Sequence, residues 1–285
     1  MCSMPSWENE LNSISQYEFA KDIGSKGMNV FLHDNHRWSI PLAFAAQKKS
    51  LLPKPCTLIM FDYHHDCKIP NNLEQLKKLR KTGYNFEDLV ALCANDLDPI
   101  SGDWVIASME LGIVDHLVDF GYDRSYANMP SHFIDSTNFE HKIKLQWLPG
   151  QAMAYQGALS DICQRSSFQE LWNILGWKLT PKVGFSLAPN NPPKWLNFDL
   201  DCFVIRWKEY HFVWPDEVFE REFNSISSYW STRDQSGKSF LTGIINNAGL
   251  ISMAREPGCC GSEENSDEVL GKLNRFIFDQ KLVIQ

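Results

Sequence analysis

Short apolar segments alternate with amphipathic segments along most of this chain. Such alternation is typical of βα units that build a largely parallel sheet, because its buried strands are apolar throughout and its covering helices are apolar on one side. The pattern predicts strands at 29–32, 57–61, 117–120, 195–198 and 250–254, and helices at 38–48, 72–81, 86–93, 104–112, 168–175, 216–227 and 266–279. Ser266 and Asp267 are the predicted capping residues of the last helix. We therefore expect an α/β protein with a mainly parallel central sheet.

Three clusters of histidine and aspartate follow predicted strands, at residues 33–36, 62–66 and 199–201. Side chains at alternate positions of an extended segment point to the same face, so the two aspartates and the central histidine of the second cluster can converge. In open α/β sheets, ligands bind beyond the carboxyl ends of the strands. We therefore expect the three clusters to share one crevice.

Carboxylates combined with neutral imidazoles suit divalent manganese, iron or zinc. The second and third clusters alone offer more ligands than one catalytic zinc takes, so we predict two ions that share bridging aspartates. The predicted ligands are His36 and Asp66 for the first ion, His64 and Asp201 for the second, and Asp62 and Asp199 as bridges. Two such ions would hold a hydroxide nucleophile between them.

Structural explanations exist for each pattern taken alone. An isolated Asp-x-Asp or His-x-x-His is often a turn or capping device, but the conjunction of three clusters favours the metal site. His33 and Asp34 are predicted to orient ligating histidines. For His65 three roles stay open, which are orienting a ligand, transferring a proton, and packing as a buried structural histidine. The histidines without a ligand pattern are predicted to be structural or surface residues: His116, His132, His141 and His211.

Composition and charge exclude some classes of function. The 285 residues carry a net charge of −8, and no basic stripe that would bind nucleic acid is present. No apolar stretch approaches the ~20 residues of a membrane span. Eight cysteines occur without a secretory apolar segment, which favours reduced thiols and a cytoplasmic protein. We expect one catalytic domain over residues 1–285; a homo-oligomer is compatible with the sequence.

At these clusters the chain resembles the ureohydrolase fold of arginases, agmatinases and histone-deacetylase relatives. The signatures of that fold are a Gly-Gly-Asp-His turn, Asp-x-His-x-Asp and Asp-x-Asp. His36 stands at the place of the turn histidine, 62–66 matches the second signature, and 199–201 matches the third. Asn35 departs from the glycine-rich turn, and Cys202-Phe203 replaces the usual continuation toward Asp-Pro. The resemblance implies a three-layer αβα fold.

The resemblance also implies roles in substrate binding and catalysis. Residues 101–104 resemble the Ser-Gly-Asn segment that contacts the α-carboxylate side of the substrate in arginases, which makes Asp103 and Trp104 predicted substrate-binding residues. The carboxylate of Asp103 would repel a free amino acid. Glu256 stands where arginases carry a glutamate that holds the guanidinium. The histidine that follows the Ser-Gly-Asn segment is missing, which leaves Asp66 or His65 to pass a proton to the leaving amine.

These departures are similar to the peptide arginases of ribosomal-peptide maturation. Such enzymes are taken to convert arginine side chains of a precursor peptide to ornithine and urea with manganese. The resemblance thus implies two Mn²⁺ ions and an arginine-containing precursor peptide as the partner. Two alternatives remain open, a mononuclear zinc or iron deacetylase-like amidohydrolase and a non-catalytic, metal-stabilised peptide-binding module. A two-metal phosphoesterase is disfavoured because only Arg37 and Arg255 lie near the clusters in sequence.

Overall fold

The structure is a computed structural model that describes residues 28–98, 102–120, 131–146, 192–207, 209–224 and 237–284. The predicted helix at 168–175 lies outside these residues, as does Ser101.

The described residues contain ten strands, of which eight form one sheet. The strands are β1 (Met28–His33), β2 (Cys56–Phe61), β3 (Val114–Phe120), β4 (His132–Ile134), β5 (Glu140–Gln146), β6 (Lys194–Asp199), β7 (Val204–Trp207), β8 (Tyr210–Val213), β9 (Ala248–Ala254) and β10 (Leu282–Ile284). The order in the large sheet is β10-β1-β9-β6-β2-β3-β5-β4, with only the β4–β5 pair antiparallel. Strands β7 and β8 form a separate antiparallel hairpin.

The α-helices of the described chain lie between these strands and after them. They are α1 (Ser39–Lys48), α2 (Leu73–Thr82), α3 (Phe86–Asn95), α4 (Trp104–Glu110), α5 (Asp216–Asn224), α6 (Gly237–Asn246), α7 (Pro257–Cys260) and α8 (Glu263–Phe276). Two short 3₁₀ helices, His36–Trp38 and Leu200–Phe203, follow β1 and β6. No described helix has the length and apolar character needed to cross a membrane.

Helices cover both faces of the large sheet, which gives a mixed α/β fold of three layers. Along β2, Leu58 and Met60 point into one apolar cluster, whereas Ile59 and Phe61 point into the other, as the two-residue period of a strand requires. Helices α1 to α4 pack over the apolar cluster that contains Leu58 and Met60. Helices α5, α6 and α8 pack over the apolar cluster that contains Ile59 and Phe61.

The five predicted strands are confirmed as β1, β2, β3, β6 and β9, and the predicted helices within the described chain are confirmed as α1 to α5 and α8. The start of α8 was predicted wrongly. The helix begins at Glu263, and Ser262 is its cap, with Oγ accepting from the backbone N of Asn265 at 3.1 Å. Ser266 instead lies buried inside the helix and donates to the carbonyl oxygen of Arg255.

Several short elements were not predicted. Strand β5 alternates charged and apolar residues near the edge of the sheet, so it lacks the apolar run of a central strand. Strands β4, β7, β8 and β10 have three or four residues each, which is too short for a period to emerge. Helices α6 and α7 were also missed.

The carboxyl ends of four adjacent strands lie level with one another. His33 of β1 and Asp199 of β6 are both in register with Ala254 of β9, and Phe61 of β2 pairs with Phe198 of β6. The segments that follow β1, β2, β6 and β9 therefore emerge side by side, although more than two hundred positions separate the first from the last along the chain. This edge of the sheet carries all three clusters.

Candidate metal centre

The same local turn begins the second and third clusters. Oδ1 of Asp62 accepts a hydrogen bond from the backbone N of His64 at 2.7 Å, and Oδ1 of Asp199 accepts one from the backbone N of Asp201 at 3.0 Å. Each first aspartate thus closes a side-chain turn over its own strand end. In each turn the second carboxylate oxygen of the aspartate remains directed at the crevice. The turn also sets the backbone position of the residue two places later, His64 or Asp201.

An apolar floor lies one residue below these aspartates. The ring of Phe61 stacks between those of Phe120 and Phe198, with centroid distances of 4.8 and 4.9 Å. All three rings are buried. Because the floor excludes water from below, the carboxylates above it must find their partners within the crevice.

Asp66 is positioned by backbone geometry and by three neighbours. Its φ of 46° lies in the left-handed region, which aspartate tolerates better than most residues. Gly102 packs so closely behind it that a Cβ there would lie 2.1 Å from Oδ1 of Asp66. The indole nitrogen of Trp104 donates a short hydrogen bond to Oδ2 of Asp66, and Nδ1 of His36 lies 3.0 Å from the same oxygen.

His36 lies at the centre of a first group of ligand atoms, called here the first position. Its Nδ1 is 3.5 Å from Oδ2 of Asp199, 3.7 Å from Oδ2 of Asp62 and 3.7 Å from Oε1 of Glu256, in addition to the contact with Asp66. His36 is buried, and the ring of His33 lies edge-on to it at a centroid distance of 6.2 Å. One imidazole nitrogen therefore faces four carboxylates.

A second group, called here the second position, consists of Asp62, His64, Asp199 and Asp201. One ligand atom from each residue lies within 4.8 Å of the others. Nδ1 of His64 is 3.2 Å from Oδ2 of Asp201. Asp62 and Asp199 belong to both positions, since each also lies near His36. The structure thus brings together all six residues that the sequence analysis proposed as ligands.

The crevice gathers buried carboxyl groups whose pKa values are shifted by burial and by their neighbours. Burial, reinforced by the neighbouring carboxylates, raises the pKa of Asp62 and Asp199 well above their usual range. Burial also acts to raise the pKa of Asp66 and Asp201, but contacts with His36 and with His64 respectively outweigh it, and both pKa values are lowered. Buried carboxylates that face one another are costly unless cations compensate them. Carboxylate oxygens and the imidazole nitrogens of His36 and His64 are donors that suit divalent ions.

Arg206 was not foreseen as part of the site. It lies on the hairpin strand β7, where its Nη2 is 3.6 Å from Oδ2 of Asp201 and its Nη1 is 3.2 Å from Nε2 of His64. Its Nε and Nη2 donate to the carbonyl oxygen of Cys259 at 3.1 and 2.8 Å. The strand is too short to be recognised in the sequence, so nothing there pointed to this cation.

Cys259 is the second unforeseen residue. One ligand atom each from His64, Asp201 and Cys259 lie within 4.8 Å of one another. No cysteine was predicted as a metal ligand. Cys259 and Cys260 are adjacent in the sequence, and an adjacent pair lacks the spacing of a zinc-binding motif. Cys259 lies on the turn α7, and this turn places it next to His64 and Asp201 of the second position.

Glu256 faces the first position from the residue before α7. Its side chain is 17% exposed, and one carboxylate oxygen forms a ligand group with His36 and Asp199. Its φ of 38° places it in the left-handed region, a strained conformation for glutamate. Burial raises the pKa of this carboxyl. Glu256 is thus close enough to contact either an ion or a cationic substrate.

The other predicted site residues lie around the ligand groups. Trp104 is 1% exposed, and its ring lies between His36 and Trp195, so it supports Asp66 from behind. Asp103 is buried before α4, where its Oδ2 is 3.4 Å from the backbone N of Asp98.

His65 and two residues of the first cluster have partners of their own. Nδ1 of His65 accepts from the backbone N of Cys67 at 3.1 Å. His33 shares a hydrogen bond of 2.8 Å with the hydroxyl of Ser39, and burial lowers the pKa of His33 to about 3. Asp34 is exposed and lies 3.7 Å from Nε of Arg255. His33 therefore contacts His36 by ring packing, whereas Asp34 faces away from the ligands.

Comparisons with known proteins identify no family for this chain. No protein-family model matches it, and no curated protein matches it. The class of protein is therefore inferred from the fold and from the geometry of the ligand groups.

Proposed function

We propose that this protein is a binuclear metal hydrolase of the ureohydrolase type, which converts arginine side chains of a precursor peptide to ornithine and urea. The observation that carries the proposal is the overlap of ligand groups at the carboxyl ends of neighbouring parallel strands, where the second position shares Asp62 with one ligand group of His36 and Asp199 with another. A mostly parallel sheet between helix layers agrees with the ureohydrolase fold that the three signatures resemble.

Manganese is the proposed metal. The first position would be held by His36, Asp62, Asp66 and Asp199, and the second by Asp62, His64, Asp199 and Asp201. Carboxylate-rich sets of this kind favour Mn²⁺ over ions that need thiolate. When bound, a pair of such ions lowers the pKa of water enough to supply a nucleophile near neutral pH and stabilises developing negative charge.

The residues of the chain supply binding and proton transfer. Five buried or half-buried carboxylates surround the crevice, so a guanidinium cation is attracted to it. Glu256 would hold that cation through charge-assisted hydrogen bonds. Addition of water to the guanidinium carbon and cleavage of its bond to the side-chain nitrogen yields urea and a primary amine. Asp66 or His65 would deliver the proton that the leaving amine needs.

A peptide substrate is proposed on chemical grounds as well as by resemblance. Asp103 is a buried carboxyl rather than a cation, so it would not bind the negatively charged α-carboxylate of free arginine. This favours an arginine whose backbone is in amide linkage, because such a residue carries no α-carboxylate. A phosphate ester is disfavoured because the nearby arginines are already engaged. Arg206 donates to the carbonyl oxygen of Cys259 and pairs with Asp201. Arg37 donates to the carbonyl oxygen of Leu97, and Arg255 pairs with Asp34 and Asp267.

The test is to incubate the Mn²⁺-loaded protein with arginine-containing peptides and with free arginine, and to measure urea and peptide mass. We expect urea in a one-to-one ratio with peptide arginines converted to ornithine, and none from free arginine. Glu256→Gln should bind Mn²⁺ yet lose at least 10²-fold in kcat/KM, because it retains shape but loses the charge that holds the guanidinium. Absence of urea from a range of peptides with two ions bound would contradict the proposal.

A mononuclear amidohydrolase is the second candidate, and Arg206 favours it. Its guanidinium lies 3.6 Å from Asp201 and partly neutralises the second position. With that charge already offset, a single ion at the first position would compensate most of the remaining carboxylates. Metal analysis of the purified protein separates the candidates, with two ions per chain expected for the ureohydrolase and one for the amidohydrolase. For a binding module, Asp62→Ala should abolish folding, whereas the enzyme should keep its fold and lose turnover.

A further inference from the structure

The turn α7 brings a thiol to the edge of the metal centre. Backbone N–H groups of Cys259 and Cys260 both donate to the carbonyl oxygen of Glu256, at 2.8 and 2.9 Å, which winds the chain into one tight turn. Residues three apart on such a turn lie on the same side. Glu256 and Cys259 therefore both face the ligand groups, whereas Cys260 is buried with its Sγ donating to the carbonyl oxygen of Arg255.

Arg206 fixes Cys259 relative to the second position. The guanidinium donates twice to the carbonyl oxygen of Cys259 and also lies in ion-pair contact with Asp201. It stacks over the ring of Tyr63 at 5.2 Å, which keeps it in place. One residue thus ties the α7 turn to the third cluster, so the closeness of Cys259 to the ligands does not depend on a mobile side chain alone.

The donors around Cys259 lie close enough to be drawn onto a single ion. One ligand atom each from His64, Asp201 and Cys259 lie within 4.8 Å of one another. Donors bound to one tetrahedral zinc at about 2.0–2.3 Å are about 3.3–3.8 Å apart. Oδ2 of Asp201 is buried and lies 3.2 Å from Nδ1 of His64 and 3.6 Å from Nη2 of Arg206. Small side-chain rotations would let all three donors share one ion.

We propose that His64, Asp201 and Cys259 form an alternative site for a thiophilic divalent ion such as Zn²⁺, Co²⁺ or Cd²⁺. Two of its donors also belong to the second position, so one ion excludes the other. A hard ion takes the oxygens of Asp62 and Asp199, whereas a thiophilic ion takes the sulfur of Cys259. Binding of the latter releases the thiol proton to solvent. The inference rests on the proposed metal centre but not on its reaction or substrate.

Among the described residues, the α7 turn leaves Cys259 partly exposed. Cys259 is half-buried, and a Cβ added to the neighbouring Gly258 would meet nothing within 4 Å. Cys260 offers a matched control, since it is the same residue type one position later but is buried and belongs to none of the ligand groups of the described residues.

The experiment is a Co²⁺ titration of the full chain, monitored by the sulfur-to-cobalt charge-transfer band. We expect the band in the wild type and in Cys260→Ser, and its loss in Cys259→Ser, while Mn²⁺ binding stays within twofold of wild type in both variants. Bound cobalt without the band in the wild type would overturn the proposal, as would a band that persists in Cys259→Ser.

A second measurement uses only the wild type and so remains valid if Cys259→Ser fails to fold. Alkylation of Cys259 by iodoacetamide, followed by peptide mass spectrometry, should slow at least tenfold with Cd²⁺ and remain unchanged with Mn²⁺. Equal labelling rates with Cd²⁺ and without metal would overturn the alternative site. A charge-transfer band without urea formation would contradict only the proposed hydrolase, and urea formation without the band would contradict only this site.

Discussion

At the scale of single residues, the candidate site depends on how its ligands are held as much as on the ligands themselves. Asp66 shows this most clearly. Its carboxylate receives the indole N–H of Trp104 and lies against His36, while Gly102 leaves the space that its Oδ1 occupies. Partners that orient metal ligands affect metal affinity almost as strongly as the ligands do.

Replacement of Trp104 by phenylalanine tests this support. Trp104→Phe keeps a buried aromatic ring but removes the hydrogen bond to Asp66, so we expect Mn²⁺ affinity at the first position to fall about 10- to 100-fold. Isothermal titration calorimetry measures the change. Trp195→Phe is the control, because the indole of that equally buried tryptophan donates to Ser252 rather than to a ligand. Equal affinities for the two variants would refute the role assigned to Trp104.

At the scale of elements, strand ends and the turns that follow them build the site. Asp62 directly after β2 and Asp199 at the end of β6 each close a turn, and the strained residue Glu256 lies two residues beyond the end of β9, just before α7. Helix α8 follows directly, and its buried apolar residues belong to the apolar cluster on one face of the sheet. Ser262 lies between the two helices.

Loss of the cap at Ser262 should destabilise the protein. Ser262→Ala removes the acceptor for the backbone N of Asn265, and we expect the free energy of unfolding to fall by about 1 kcal/mol. Urea denaturation followed by circular dichroism measures this change. Ser262→Asp retains an acceptor at the cap and should remain close to wild type. A stability of Ser262→Ala equal to that of Ser262→Asp would argue against the cap that the structure assigns.

At the scale of the whole molecule, the fold gathers negative charge that must be compensated. Asp62, Asp66, Asp199, Asp201 and Glu256 come from segments far apart in the chain and meet over an apolar floor. Folding therefore brings carboxylates together that repel one another, and Arg206 offsets only part of that repulsion.

Metal binding should accordingly stabilise the folded state. We expect Mn²⁺ at 100 times its dissociation constant to raise the free energy of unfolding by about 2.7 kcal/mol per site, and a chelator to reverse the increase. Thermal denaturation with and without Mn²⁺ measures the effect. Asp62→Asn alters a residue of both positions and should lose most of the Mn²⁺-dependent increase. An unchanged melting temperature across these conditions would contradict the metal centre.

The sequence determined those parts of the protein whose signals are local. Apolar runs marked the central strands because both of their faces are buried, and alternation along the strand ends selected Asp62, His64 and Asp66 as residues that can converge. Spacing alone therefore identified six residues that the fold brings together.

Only the tertiary structure decided which distant residues join them. The level ends of β1, β2, β6 and β9 follow from strand order and register, which no local pattern encodes. Arg206 extends to the site from a short hairpin. Cys259 lies at the site because the single turn of α7 bends the chain back toward His64 and Asp201. Both contacts depend on side-chain packing between segments far apart in sequence, so the residues themselves carry no sign of them.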